Sequence, residues 1–118
     1  MSNPRYRPKS FSTEPLQFGK SLNIEWKDVV PETAALHLAS QIQHQQCVAI
    51  LRAVQREFTI RGLMGYTMTL GRSYEQFRRI MSGDAVIQIR DLAEAKLYFG
   101  DVLNLNVPVL RSGLAAPQ

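Results

Sequence analysis

Two histidines and a cysteine are the residues whose types first invite chemistry. His37 and His44 stand seven residues apart, which places both on one face of a helix. Two imidazoles with no Cys or carboxylate at ligand spacing make a poor metal site, because a closed zinc centre asks for four such ligands. Cys47 lies three residues after His44 and has the form of a nucleophile beside its base. Both fall inside an amphipathic pattern, however, where a buried small hydrophobe is the simpler role for a cysteine. No G-x-S-x-G, P-loop or G-x-G-x-x-G stretch is present. No catalytic residue, metal, cofactor or small-molecule substrate is therefore expected, and the chain does not read as an enzyme.

The arginines say more. The formal net charge is +4 and the isoelectric point about 9.6. Residues 1–20 carry four Lys/Arg against one acid, and residues 47–83 carry six Arg against two acids. Between them, residues 21–46 carry one base against three acids, and residues 84–118 three against four. Two basic blocks parted by an acidic one suggest surfaces that meet polyanions, nucleic acid before anionic membrane. Within the second block, Arg78 and Arg79 follow Ser73, a good helix N-cap, and precede Gly83, a good helix stop. On a wheel of 100° per residue, Ile80 and Met81 fall within about 60° of Phe77. Glu75, Arg78, Arg79 and Ser82 take the opposite half, with Tyr74 and Gln76 at its borders. Such a face can reach base edges and phosphates.

The elements that must position this face are mostly helical. Of the 118 residues, 45% are hydrophobic and 20% charged, ordinary values for one globular domain. No apolar run approaches the length of about 18 residues needed to cross a membrane. The first residues have no apolar stretch behind their charges, so a secretory leader is not expected. A lone cysteine and this composition suit a reducing cytoplasm. Residues 1–21, with Pro4, Pro8 and Pro15, read as a flexible basic arm. Within it, Arg5 and Arg7 lie between Pro4 and Pro8, a pattern that keeps the chain extended and able to follow a minor groove.

Leu22 to Trp26 reads as a short strand or an anchor. A long helix starts at Pro31-Glu32 and runs to Phe58, with a kink or break at Gln43-His44-Gln45-Gln46. Ala35, Leu38, Ala39 and Ile42 form its first apolar face; Cys47, Ile50, Leu51, Val54 and Phe58 form the second. Shorter helices follow from Leu63 to Leu70, from Ser73 to Met81 or Ser82, and from Gln88 to Phe99, the last burying Ile89, Leu92, Ala95 and Phe99. Residues 102–118 form an extension whose alternating stretch at 102–110 reads as a short strand or extended tail, and as a candidate dimerisation segment. The expectation is an all-α bundle of four to five helices, with its helical domain at 22–101.

A helix ending at Leu70-Gly71, a three-residue turn and a second helix from Ser73 has helix-turn-helix spacing. At Tyr66-Thr67-Met68-Thr69-Leu70-Gly71-Arg72-Ser73 the sequence resembles the positioning helix and Leu-Gly turn of the Cro and phage-repressor family of bacterial and phage regulators. Ser73 to Gly83 resembles that family's recognition helix, and Leu92, Ala95, Phe99 and Gly100 match its following helix. The resemblance covers residues 47–100. Thr67, Arg72, Leu63 and Lys96 depart from the usual residues. The resemblance implies a sequence-specific transcriptional regulator of the bacterial cytoplasm, a repressor first, binding double-stranded DNA as a homodimer. The implied contacts are Ser73, Tyr74, Glu75, Gln76, Arg78, Arg79 and Ser82. From its place beside the helix, and not from the family, Arg72 is expected to reach a phosphate, and the extended arm is expected to add Arg5 and Arg7. The competing reading is a protein-interaction module built on the same helices without DNA readout.

Overall fold

The structure is a computed structural model that describes residues 6–103. Proline sets the opening geometry: Pro8, Pro15 and Pro31 each start a single 3-10 turn, at Pro8–Phe11, Pro15–Gln17 and Pro31–Thr33. Their fixed φ suits a first turn, where the missing N–H has no partner to lose. The third turn runs straight into α1, Ala34–Glu57. Then come α2, Gly62–Leu70, α3, Tyr74–Met81, and α4, Ile89–Phe99, before a last 3-10 turn at Asp101–Leu103. Among the described residues the fold is an all-α bundle of four helices.

Alternating residues at 22–26 do not make a strand. One isolated bridge joins Ser12 to Trp26, and Ile24 is buried, so this stretch anchors the chain to the bundle. Residues 102–103 belong to a 3-10 turn, and the remainder of the extension, 104–118, lies outside the described residues.

The core forms where the second half of α1 meets α2, α3 and α4. Cys47, Ile50 and Val54 pack there with Tyr66, Phe77, Ile80, Met81 and Ala95. Phe18 and Leu103 join the same cluster, so residue 21 marks no boundary in the core. The expected free arm is corrected from residue 6 onward. Phe18 is 1% exposed, Pro8 is buried, and Tyr6 Oη reaches Ser40 Oγ at 2.8 Å on α1. Three prolines and few apolar residues look like a linker in composition, but one aromatic in the core is enough to dock it.

Of the kink or break expected in α1, the break is absent; the helix is continuous through Gln43–Gln46. Its first half also turns the other way from the apolar pattern. Leu38 is 59% and Ile42 48% exposed, whereas His37, Ser40, Gln43 and His44 are buried. Each of these polar residues holds main chain. His44 Nδ1 accepts from Gly19 N at 2.9 Å, so its Nε2 carries the proton and donates to Leu22 O at 3.0 Å. His37 Nε2 donates to Lys27 O at 2.8 Å while its Nδ1 accepts from Gln41 Nε2 at 2.9 Å. Gln43 Nε2 donates to Ile80 O and Ala85 O, and its Oε1 accepts from Ile87 N. A buried polar side chain is tolerated when its hydrogen bonds are met, and here they are met within α1, at the end of α3 and by the segments around residues 19–27 and 85–87. Ile89 is a further correction: it opens α4 at 85% exposure and is not core.

Candidate nucleic-acid interface

Three residues, Gly71 to Ser73, separate α2 from α3. Gly71 takes φ +71°, a left-handed conformation that a side chain would resist. Its N–H and that of Arg72 then satisfy the carbonyls of Met68 at 3.1 Å and Thr67 at 2.8 Å. Ser73 stays extended, and its Oγ accepts from Gln76 N at 3.2 Å, which caps α3. Phe77, Ile80 and Met81 turn inward, as their spacing predicts. Ser73, Glu75, Gln76 and Arg78 are exposed, with Tyr74, Arg79 and Ser82 half-buried beside them.

Arg72 does something else. Its Nη2 lies 2.5 Å from Asp91 Oδ1 and its Nη1 2.5 Å from Glu94 Oε1, both on α4. The guanidinium also sits over the Phe77 ring, 5.4 Å from its centroid. Asp91 is buried and at the same time accepts from Gln88 N at 2.8 Å, tying off the start of α4. The expected reach of Arg72 to a phosphate is therefore corrected: its donors face inward and bolt the turn to α4. A two-carboxylate site suits the planar fork of Arg72.

Among the outward residues, Arg78 Nη2 pairs with Glu75 Oε1 at 2.8 Å. The Glu75 carboxylate, by hydrogen bond and charge, raises the Arg78 guanidinium above its ordinary pKa. Such an exposed pair is weak and easily exchanged for another anion. Ser82 Oγ donates to Arg79 O at 3.2 Å and to Asp84 Oδ2 at 3.0 Å. Arg7 is exposed, but its carbonyl accepts from Ser10 N and Ser10 Oγ, so its backbone belongs to the first 3-10 turn. Arg5 lies outside the described residues.

The end of α3 is held by residues that sequence spacing did not single out. Lys9 N donates to Gly83 O at 3.1 Å, and Lys9 Nζ pairs with Asp84 Oδ1 at 2.7 Å. The Lys9 ammonium, helped by Ser82, keeps the Asp84 carboxyl below its usual range. A Cβ on Gly83 would stand 2.7 Å from Lys9 Cβ and 2.8 Å from Phe18 Cδ1. Gly83 is thus a point of close approach as well as a helix stop. The only signal for this in the sequence is the glycine itself.

Elsewhere, His37 and His44 are occupied by main chain, and no group of three or more His, Cys, Asp or Glu is placed to hold a metal among the described residues. Cys47 is fully buried; burial pushes its thiol up to about 12, and Sγ donates to Ile80 O at 3.6 Å. No helix among the described residues is long and apolar enough to cross a membrane. No known protein family, curated protein or solved structure matches the chain.

Proposed function

We propose that this chain is a sequence-specific DNA-binding transcriptional regulator, a repressor in the first instance, that lays α3 in the major groove as one half of a homodimer. One observation carries the reading: a short capped helix after a three-residue glycine turn, apolar within and Glu75, Gln76, Arg78 and Arg79 toward its free side. A helix fits the major groove, and Arg matches the two acceptors of guanine with a bidentate fork. The resemblance to Cro and phage repressors supports the same reading and the cytoplasm as its place. Ser73, Tyr74 and Ser82 flank the face and reach phosphate or base, Arg7 adds charge near the end of α3, and Arg5 is a further DNA contact in this reading. Electrophoretic shifts on DNA flanking the chain's own gene, at two salt concentrations, test it. A discrete complex that outlasts competitor DNA supports the proposal; smearing at low salt alone removes sequence-specific readout.

A second reading is favoured by Ile60, Met64 and Met68, which expose apolar surface on and beside α2. Such a patch suits a protein partner, and the helices would then be a scaffold for that contact. Retention of partner binding by Arg78→Ala, with no DNA complex from either form, distinguishes this reading.

A further inference from the structure

The apolar pattern that opens α1 is not spent inside the molecule. Ala35, Leu38, Ile42, Gln45 and Ala49 follow one another at alternating steps of three and four, which draws one stripe along the helix. Ala35, Leu38, Ile42 and Gln45 are exposed and Ala49 is half-buried; among the described residues nothing covers the stripe. It runs for about 21 Å. Val86, just before α4, and Ile89, its first residue, are exposed as well and widen the apolar face to one side. Between Ile42 and Val86 lies a groove of about 200 Å³, lined also by Ile87 and Leu92.

Charge is missing from this face. There is no Asp, Glu, Lys or Arg from Ala34 to Leu51, nor from Ala85 to Ile89, in a chain of which 20% is charged. The helix regains a charged surface only at Arg52, Arg56 and Glu57. Charged residues are depleted at the centre of protein interfaces, so an acidic or a basic partner finds nothing here to pair with. A second copy does fit. Two copies of a chain with net charge +4 repel each other, and a face without charges lets them meet without adding to that repulsion. A stripe with steps of three and four packs against another of the same kind. A ridge beside a groove is also self-complementary about a two-fold axis, each ridge entering the other copy's groove. Size agrees with this. Leu38, Ile42, Val86 and Ile89 together expose as much surface as the largest apolar patch of a typical monomer. The alanines and glutamines around them bring the face toward the roughly 800 Å² per partner of a standard interface.

We propose that a second copy of this chain covers this face: α1 pairs with α1, antiparallel about a two-fold axis at Ile42, and Val86 and Ile89 flank the seam. Ile42 lies midway between Ala35 and Ala49, so the small ends of the two stripes lie against each other while the bulky centre interlocks. Residues 82–88 join α3 to this face, so pairing here also ties the two α3 helices together. The inference rests on the homodimer of the proposed function and names its surface; it does not require α3 to read DNA.

Sedimentation of the full chain without DNA tests it. The wild type is expected to be a dimer at micromolar concentration. Ile42→Glu, at an exposed position that leaves the fold intact, is expected to weaken association about 100-fold, because two carboxylates then meet at the axis. Ile60→Glu, at an exposed position beyond the far end of α1, is expected to leave association unchanged. Cross-linking adds a readout that does not depend on a loss. Under mild oxidation Ile42→Cys closes with its own counterpart to a covalent dimer about tenfold faster than Ile60→Cys, since a disulfide needs its two backbones close. The buried Cys47 stays out of the reaction. A wild-type dimer that survives Ile42→Glu, or equal cross-linking at the two positions, overturns this face and leaves the homodimer standing. A wild type that stays monomeric overturns both.

Discussion

Arg72 shows how far a residue's type and its role can separate. In the sequence it is one more cation in a basic block beside a candidate recognition helix. In the structure its fork is spent on Asp91 and Glu94. Arg72→Met is expected to cost about 3 kcal/mol in urea unfolding, because it strands the buried Asp91 carboxylate. An unchanged midpoint would mean that Asp91 finds another partner. Arg78 and Arg79 are different, since the folded chain does not consume their outer surface. Arg78→Ala or Arg79→Ala is expected to cost about 1–3 kcal/mol on a specific site and much less on random duplex, with folding unaltered. Equal losses on both duplexes make that residue a phosphate contact. Tyr66 offers a test of packing alone. Its hydroxyl is buried without a partner among the described residues, within a ring cluster that includes Phe58, Phe77 and Phe99. Tyr66→Phe is expected to leave stability unchanged or raise it by about 1 kcal/mol. A loss of that size would show that the hydroxyl is bonded in solution.

At the scale of elements, α3 is gripped at both ends: Arg72 fixes its start to α4, and residues 6–20 with Gln43 fix its end. Gly83→Ala is expected to cost about 2 kcal/mol or more, from the positive φ together with the clash against Lys9 and Phe18. Phe18 packs edge-on to Trp26 at 6.3 Å, so the emission of this single tryptophan reports the displaced segment. Wild-type emission and stability in Gly83→Ala would show that the segment does not bear on α3. Lowering the pH should loosen the same junction. The Asp84 carboxyl is held below its usual range by Lys9, so its contribution is present at neutral pH and fades as pH drops below about 4 toward its folded value. Asp84→Asn should remove that part of the acid dependence.

These elements also mark what the sequence could disclose. Gly71, Ser73, Gly83 and Gly100 punctuate the chain, and the three helices they bound stand where local chemistry puts them. The second half of α1 is legible for a similar reason: Cys47, Ile50 and Val54 keep one face and pack into the apolar cluster. Its first half was not. Leu38 and Ile42 have core spacing, yet His37, Gln43 and His44 take the inside because their partners are main-chain groups far along the chain. A helical wheel records polarity, but not whether a carbonyl will be waiting. Residues 6–20 are illegible in the same way, since docking by Phe18 and Lys9 depends on Gly83, some 70 positions away.

For the whole molecule, a single helix of α3's length spans few base pairs, and two half-sites about 34 Å apart are the usual remedy. A dimer at micromolar concentration by sedimentation, with a two-fold symmetric site, is expected; a monomer on an asymmetric site would oppose it. Because residues 6–20 are part of the bundle, deleting residues 1–20 should lower stability as well as any DNA affinity. The most direct measurement is selection of bound duplexes from a random pool by the full chain, repeated with Arg79→Ala and Arg78→Ala. If α3 reads DNA, the wild type enriches one symmetric motif, and each variant relaxes the preference at particular base pairs within it. If no motif emerges, or if the variants enrich the same motif unchanged, α3 does not read DNA.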